Sequence, residues 1–149
     1  MELSLCMIVR NEEAVLARCL KSVAEAVDEI IIVDTGSTDR TREIAQKFTE
    51  HVYDFPWVDD FSKARNFSFS LATKDYILWL DADDVLTPEG AAALKALKGT
   101  LDPRVDMVMM PYHVAFDLQG RPTFTYERER IIRRGAGHRV AAGRLRRSR

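Results

Sequence analysis

"ILWLDADDVLTPEG", residues 77–90, sets an apolar run directly against a cluster of acids. Together with Tyr76 it reads as a short buried strand, residues 76–80, that ends in Asp81, Asp83 and Asp84. Thr87 then caps a helix and Pro88 takes its first position, with Gly99 expected as the stop. A continuous apolar strand followed by a capped helix is the pattern of a parallel sheet covered on both faces. The pattern recurs towards the N-terminus, where residues 3–9 and 30–33 read as buried strands and residues 51–53 as a weak one. Val15, Leu16, Cys19, Leu20 and Val23 recur at helical spacing behind an expected Asn11 cap, with Glu12 and Glu13 in the first turn. Ser37 or Thr38 is expected to cap a second helix that turns Ile44, Ala45 and Phe48 inward, and Asp59 or Asp60 a third in "DDFSKARNFSFSLAT". Residues 106–116, 123–126 and 130–133 read as later strands, with "DLQG" as a turn. The expected fold class is α/β: a Rossmann-like, mostly parallel sheet flanked by helices, with a C-terminal antiparallel appendage.

The 149 residues suit one domain, expected over 1–137, followed by a disordered basic tail at 138–149. Apolar residues at 46% and charged ones at 30% describe an ordinary globular mixture rather than a disordered chain. A net charge of −1 argues against nucleic acid as a partner of the whole domain, although Arg139, Arg144, Arg146, Arg147 and Arg149 crowd the end. Cys6 and Cys19 lie in apolar-periodic segments and read as core thiols of a reducing compartment. No run approaches the roughly 18–20 apolar residues of a membrane span, and "MELSLCMIVRNEE" lacks the basic start of a secretory signal. The expected location is the cytoplasm, the inner face of a membrane included, and a homo-oligomer is compatible with the sequence.

Parallel strands deliver their C-terminal ends to one side of a sheet, which is where ligands bind in open α/β folds. Three polar segments fall there: "RNEE" at 10–13, "DTGSTD" at 34–39 and "DADD" at 81–84. Asn11 could serve only as a cap and Asp34 only as a turn residue. Asp81, Asp83 and Asp84 together repel one another unless a cation or donors intervene. Hard carboxylate oxygens suit Mg²⁺ or Mn²⁺ better than zinc. Two or three of them make a poor protein-only cage for Mg²⁺ but a good site once phosphate oxygens complete it, so a diphosphate ligand is expected. Lys63 and Arg65 in "FSKARNFS" supply the complementary charge, and Asp34 can accept from a base N–H or a ribose hydroxyl. Trp57 and Trp79 offer ring faces for a sugar or base, Trp79 reading more as core. Neither GxGxxG nor GxxxxGK[ST] occurs.

Four segments, "LSLCMIVRNEEAVLARCLKSV", "VDEIIIVDTGSTDRTREIA", "DDFSKARNFSFSLATKDYILWLDADDVLTPEG" and "RERIIRRG", occur in an order that resembles the family 2 glycosyltransferases, which have the GT-A fold. The resemblance extends to about Gly137. It implies a nucleotide-diphosphate sugar donor, most often a UDP-sugar, with Asn11 and Glu12 beside the nucleotide, Asp34 on the base and Arg65 near base and phosphates. Asp81, Ala82 and Asp83 would be the family's DxD, with Asp83 the direct ligand of Mn²⁺ or Mg²⁺ and Asp81 near the ribose or the metal's water. Asp84 would support the turn. The implied reaction is hexosyl transfer to a hydroxyl of a saccharide, lipid or protein acceptor, with inversion and a carboxylate general base. At this last point the sequence departs from the pattern. Relatives with such a segment continue into an aromatic–Gly and a His-Glu pair, whereas this chain reads "AGHRVAAGRLRRSR", with His138 but no acid after Glu129. The general base is therefore unidentified. Asp106, Asp117, Glu127 and Glu129 are its candidate substitutes, and the chain reads as a donor-binding half, truncated or altered at its end. Two rivals are a non-catalytic nucleotide-sugar-binding module and a haloacid-dehalogenase-like phosphatase with Asp81 as nucleophile. Against the latter, its motif normally opens the domain.

Overall fold

The computed structural model describes residues 1–57, 59–135, 138–141 and 144–147. Its elements in chain order are β1 (Leu3–Val9), α1 (Leu16–Val23), β2 (Glu29–Asp34), α2 (Thr41–Gln46), β3 (Val52–Asp54) and α3 (Phe61–Ser70). After these come β4 (Tyr76–Trp79), α4 (Pro88–Thr100), β5 (Met107–Phe116), β6 (Pro122–Arg133), β7 (His138–Ala141) and β8 (Arg144–Arg147). Six strands form one sheet in the order β3-β2-β1-β4-β6-β5. β1 pairs in parallel with β2 and β4, and β2 in parallel with β3. β1 feeds a core on each face. Leu3, Leu5, Met7 and Val9 pack with Leu16, Leu20 and Val23 of α1 and Leu94 of α4, while Cys6 packs with Ile31, Val33, Trp79 and Phe69 of α3. Apolar contact on both faces is why these strands read as continuous apolar runs. Both thiols are buried and unpaired, and burial pushes each up to about 12.

Several local expectations are corrected by long-range contacts. Asn11 does not cap α1, which begins behind Val15 with no side-chain cap. Asn11 instead adopts φ 52 and its Oδ1 accepts the Thr38 amide at 2.8 Å, tying the loop after β1 to the loop after β2. Asparagine tolerates this left-handed backbone better than most residues. Ser37 and Thr38 do not cap α2 either. Ser37 Oγ accepts the Asn11 amide at 2.9 Å, and Asp39 Oδ1 receives the Thr41 amide at the helix start. Asp60 and Thr87 do cap, accepting the amides of Ser62 and Gly90 at 3.0 Å each. Gly99 is not the stop. α4 runs to Thr100 and gives way to extended Leu101, two residues ahead of Pro103.

The late strands supply the expected antiparallel C-terminal part and join it to the main sheet. Residues 123–126 and 130–133 belong to the single strand β6, which lies antiparallel between β4 and β5 in the main sheet. Ile131 and Ile132, 0% and 2% exposed, bury against opposite faces and so require that place. Part of the expected basic tail, 138–149, lies among the described residues. β7 and β8 pair antiparallel with Val140 opposite Leu145, as the alternation in "HRVA" and "RLRR" permits. The rest of that segment, with His138's side chain, lies outside the described residues. No helix among the described residues is long and apolar enough to cross a membrane.

Candidate active site

The C-terminal ends of β1, β2 and β4 meet at one edge, with Val9 in register with Asp34 and Cys6 with Trp79. A cleft of about 490 Å³ opens there. Its floor and walls come from Val9, Arg10 and Glu12 after β1, Thr35 after β2, Asp81, Ala82 and Asp83 after β4, and the aromatic rings of Trp57 and Phe61.

The acidic turn divides into two roles. Asp84 is buried, with Oδ2 3.1 Å from Arg130 Nη1 and accepting the Asp81 amide at 2.8 Å. Arg130, also buried, donates to the Trp79 carbonyl at 3.3 Å and stacks 4.3 Å from the Trp79 ring centroid. This pair clamps the turn to β6. Asp83 is exposed, and its carboxylate has no hydrogen bond or ion pair among the described residues. Carboxylate oxygens of Asp81, Asp83 and Asp84 lie within 4.8 Å of one another. The set therefore fits a hard divalent cation, with Asp81 and Asp83 open to it and Asp84 already neutralised by Arg130. Glu12 belongs to the same field: desolvation first, then repulsion from Asp83, Asp39 and Asp81, pushes its carboxyl up.

Arg65 sits in a buried aromatic cage, its guanidinium 4.4 Å from the Trp79 centroid and 4.8 Å from that of Phe61. Burial pulls it down to about 10, against the attraction of Asp81, whose Oδ1 is 3.8 Å away, so it stays cationic at neutral pH. Its Nε has no hydrogen-bond partner among the described residues. Asp34, 3% exposed, uses Oδ1 to accept the amides of Gly36 at 2.8 Å and Ser37 at 2.7 Å, while Oδ2 is buried without a partner among the described residues. Buried polar atoms left unsatisfied are costly and rare, so an acceptor and a donor of this kind beside one cleft point to a ligand or water that completes them.

Of the residues singled out from sequence, Glu12, Asp81, Ala82 and Asp83 line the cleft. Asp34 and Arg65 are buried beside it, and Asn11 ties the two loops together. Arg10, Thr35 and Phe61 are not singled out by the sequence, although they belong to the quoted "RNEE", "DTGSTD" and "FSKARNFS". Arg130 was also missed as a structural group, and its signal is an arginine placed beside two fully apolar strand positions. The proposed substitute bases are not gathered here. Asp106 is paired with Arg133 at 2.7 Å, and Asp117 sits in the β5–β6 turn against Arg121 at 3.0 Å. Glu127 and Glu129 lie along β6 and do not line the cleft.

The family model for glycosyl transferase family 2 matches residues 4–146. The chain belongs to that family. It is 50% identical over 95 residues to a TPR repeat-containing protein of Synechococcus elongatus, covering 64% of this chain and 24% of that protein. It is 34% identical over 115 residues to the SPbeta prophage-derived glycosyltransferase SunS of Bacillus subtilis, covering 71% and 26%. The chain thus spans about a quarter of the length of these two curated relatives. Among solved structures, glucosyl-3-phosphoglycerate synthase from Mycobacterium tuberculosis in complex with UDP matches 76% of this chain and 45% of its own, at 22% identity and TM-score 0.61. S. aureus TarS matches 83% and 38%, at 21% identity and TM-score 0.58. These two likenesses establish the fold, GT-A.

Proposed function

We propose that this family 2 domain binds a nucleotide-diphosphate sugar, a UDP-sugar first among candidates, and transfers its sugar to an acceptor hydroxyl with a divalent cation in the site. The observation that carries this reading is the pairing of an open Asp81–Asp83 carboxylate set with the unsatisfied Asp34 Oδ2 at the same strand ends. UDP is the first probe because the M. tuberculosis fold neighbour was crystallised with it.

In this reading Asp34 Oδ2 accepts from a base N–H, and the Trp57 and Phe61 rings supply apolar area for the base. Arg65, held rigidly by its aromatic cage, presents its cation towards Asp81 and the phosphates. Asp81 and Asp83 would hold Mn²⁺ or Mg²⁺, Asp83 directly, and Asp81 would also serve the ribose. A divalent cation bound there supplies Lewis-acid charge for a leaving diphosphate. Glu12 and Asn11 hold the loops that frame the nucleotide. Because Arg130 neutralises Asp84, the turn keeps its shape whether or not Asp81 and Asp83 are occupied.

Inversion and the location, cytoplasm or inner membrane face, remain part of the proposal on the family's pattern. The test is to incubate the chain with UDP-sugars, Mn²⁺ and small hydroxyl acceptors and to measure UDP release with product mass. Acceptor-dependent release supports transfer. A second reading, binding without turnover, is favoured by one observation: none of Asp106, Asp117, Glu127 or Glu129 reaches the cleft. Tight UDP binding with no release under any acceptor would select it. The phosphatase reading does not survive family membership.

A further inference from the structure

A second cavity, of about 390 Å³, lies on the other side of the acidic turn, between the start of α4 and strand β5. It shares Asp83 with the first cleft, so ligands in the two would meet at that carboxylate. Its walls are Leu80, Val85, Leu86, Met110, Pro111 and Phe116. Two of these stand well out in water, Val85 at 47% and Phe116 at 57% exposure.

Asp83 apart, the polar side chains around it make contacts within the protein. Asp84 and Arg130 pair with each other at 3.1 Å. Thr87 Oγ1 accepts the Gly90 amide at 3.0 Å as the cap of α4. His113 Nδ1 is 2.7 Å from Thr125 Oγ1, and the Tyr112 ring lies 5.1 Å from the Arg130 guanidinium carbon. A saccharide brought into such a space would surrender hydration at each hydroxyl with few replacements, a cost of about 1–3 kcal/mol per unmatched group. An alkyl or aryl body needs no replacement and gains from covering exposed Val85 and Phe116.

We propose that this cavity is the acceptor subsite and that it selects a small-molecule acceptor with an alkyl or aryl body, presenting its polar end at Asp83. The word acceptor rests on the donor reading above; the apolar selectivity does not. Octyl β-D-glucoside and methyl β-D-glucoside differ only in seven methylenes, which makes them a matched probe pair. Titrated calorimetrically into the full chain, the octyl compound kept below its micellar threshold, octyl is expected to bind at least about tenfold more tightly than methyl. That preference is expected to persist with UDP and Mn²⁺ present, and to fall about fivefold in Phe116→Ser, an exposed position whose change leaves UDP affinity as a folding control. Equal affinities, no binding of either probe, displacement of the octyl compound by UDP, or an undiminished preference in Phe116→Ser would each overturn the proposal. Should UDP itself fail to bind the wild type, the donor reading falls, while the octyl–methyl comparison still decides the cavity's chemistry.

Discussion

Asp83 and Asp84 are neighbours of identical chemistry, yet substituting them by alanine is expected to have opposite consequences. Asp84→Ala removes the carboxylate that neutralises buried Arg130 at 3.1 Å and accepts the Asp81 amide at 2.8 Å. The side chains of the pair are 8% and 4% exposed, so water cannot replace what is lost. Breaking a buried pair by deleting one partner costs about 3–5 kcal/mol, because a charge is left uncompensated. For a chain of this size each kcal/mol lowers the melting temperature by about 2–4 °C, which gives a fall of about 6–20 °C. Asp83 is exposed and without a protein partner among the described residues, so Asp83→Ala is expected within about 0.5 kcal/mol of wild type. The assay is thermal denaturation followed by circular dichroism, without metal, for wild type and both variants. Equal melting temperatures in the two variants, or a larger loss in Asp83→Ala, would refute the division of the turn into a clamp and an open ligand.

Three further outcomes follow from single contacts. Asp34→Asn keeps the Oδ1 acceptor for Gly36 and Ser37 but turns the orphan Oδ2 into a donor; UDP affinity is expected to fall about 10–100-fold with little change in stability, and calorimetry that finds equal affinity would count against base recognition there. Trp57 lines the cleft at 41% exposure whereas Trp79 is buried, so UDP is expected to quench intrinsic fluorescence in wild type but not in Trp57→Phe. The Ser62 hydroxyl and amide hold the Asp60 carboxylate below its usual range, so this cap stabilises α3 above the unfolded value of about 3.9 and its contribution is lost as pH falls through the lower folded value. Asp60→Ala is accordingly expected to melt below wild type at pH 7 and to converge with it at strongly acid pH, which a series of melting curves against pH would check.

What could be read from the sequence was what depends on near neighbours and on burial. The strands β1, β2 and β4 announced themselves because both faces of each are covered, and Asp60 and Thr87 act on amides within three residues of themselves. Asn11, Ser37 and Thr38 misled for the converse reason. Their side chains have cap chemistry, but they serve one another across 26 or 27 residues, a contact that no local window contains. β6 was divided in two because Glu127 and Glu129 interrupt its apolar pattern; only its place between β4 and β5 makes one strand of it. In the site, the carboxylates could be named in advance, but their division could not. Asp84 is set apart from Asp83 by its burial, by the Asp81 amide and by Arg130, which lies 46 positions further along the chain.

The most direct test of the central idea, that the edge carboxylates join a nucleotide diphosphate to the protein through a divalent cation, is a calorimetric titration of UDP into the wild-type chain with and without Mn²⁺, with uridine in parallel. Binding of UDP that strengthens at least about tenfold with Mn²⁺ and vanishes as a metal effect in Asp83→Ala, while uridine responds to neither change, is the predicted result. UDP affinity indifferent to Mn²⁺ and to Asp83 would contradict it.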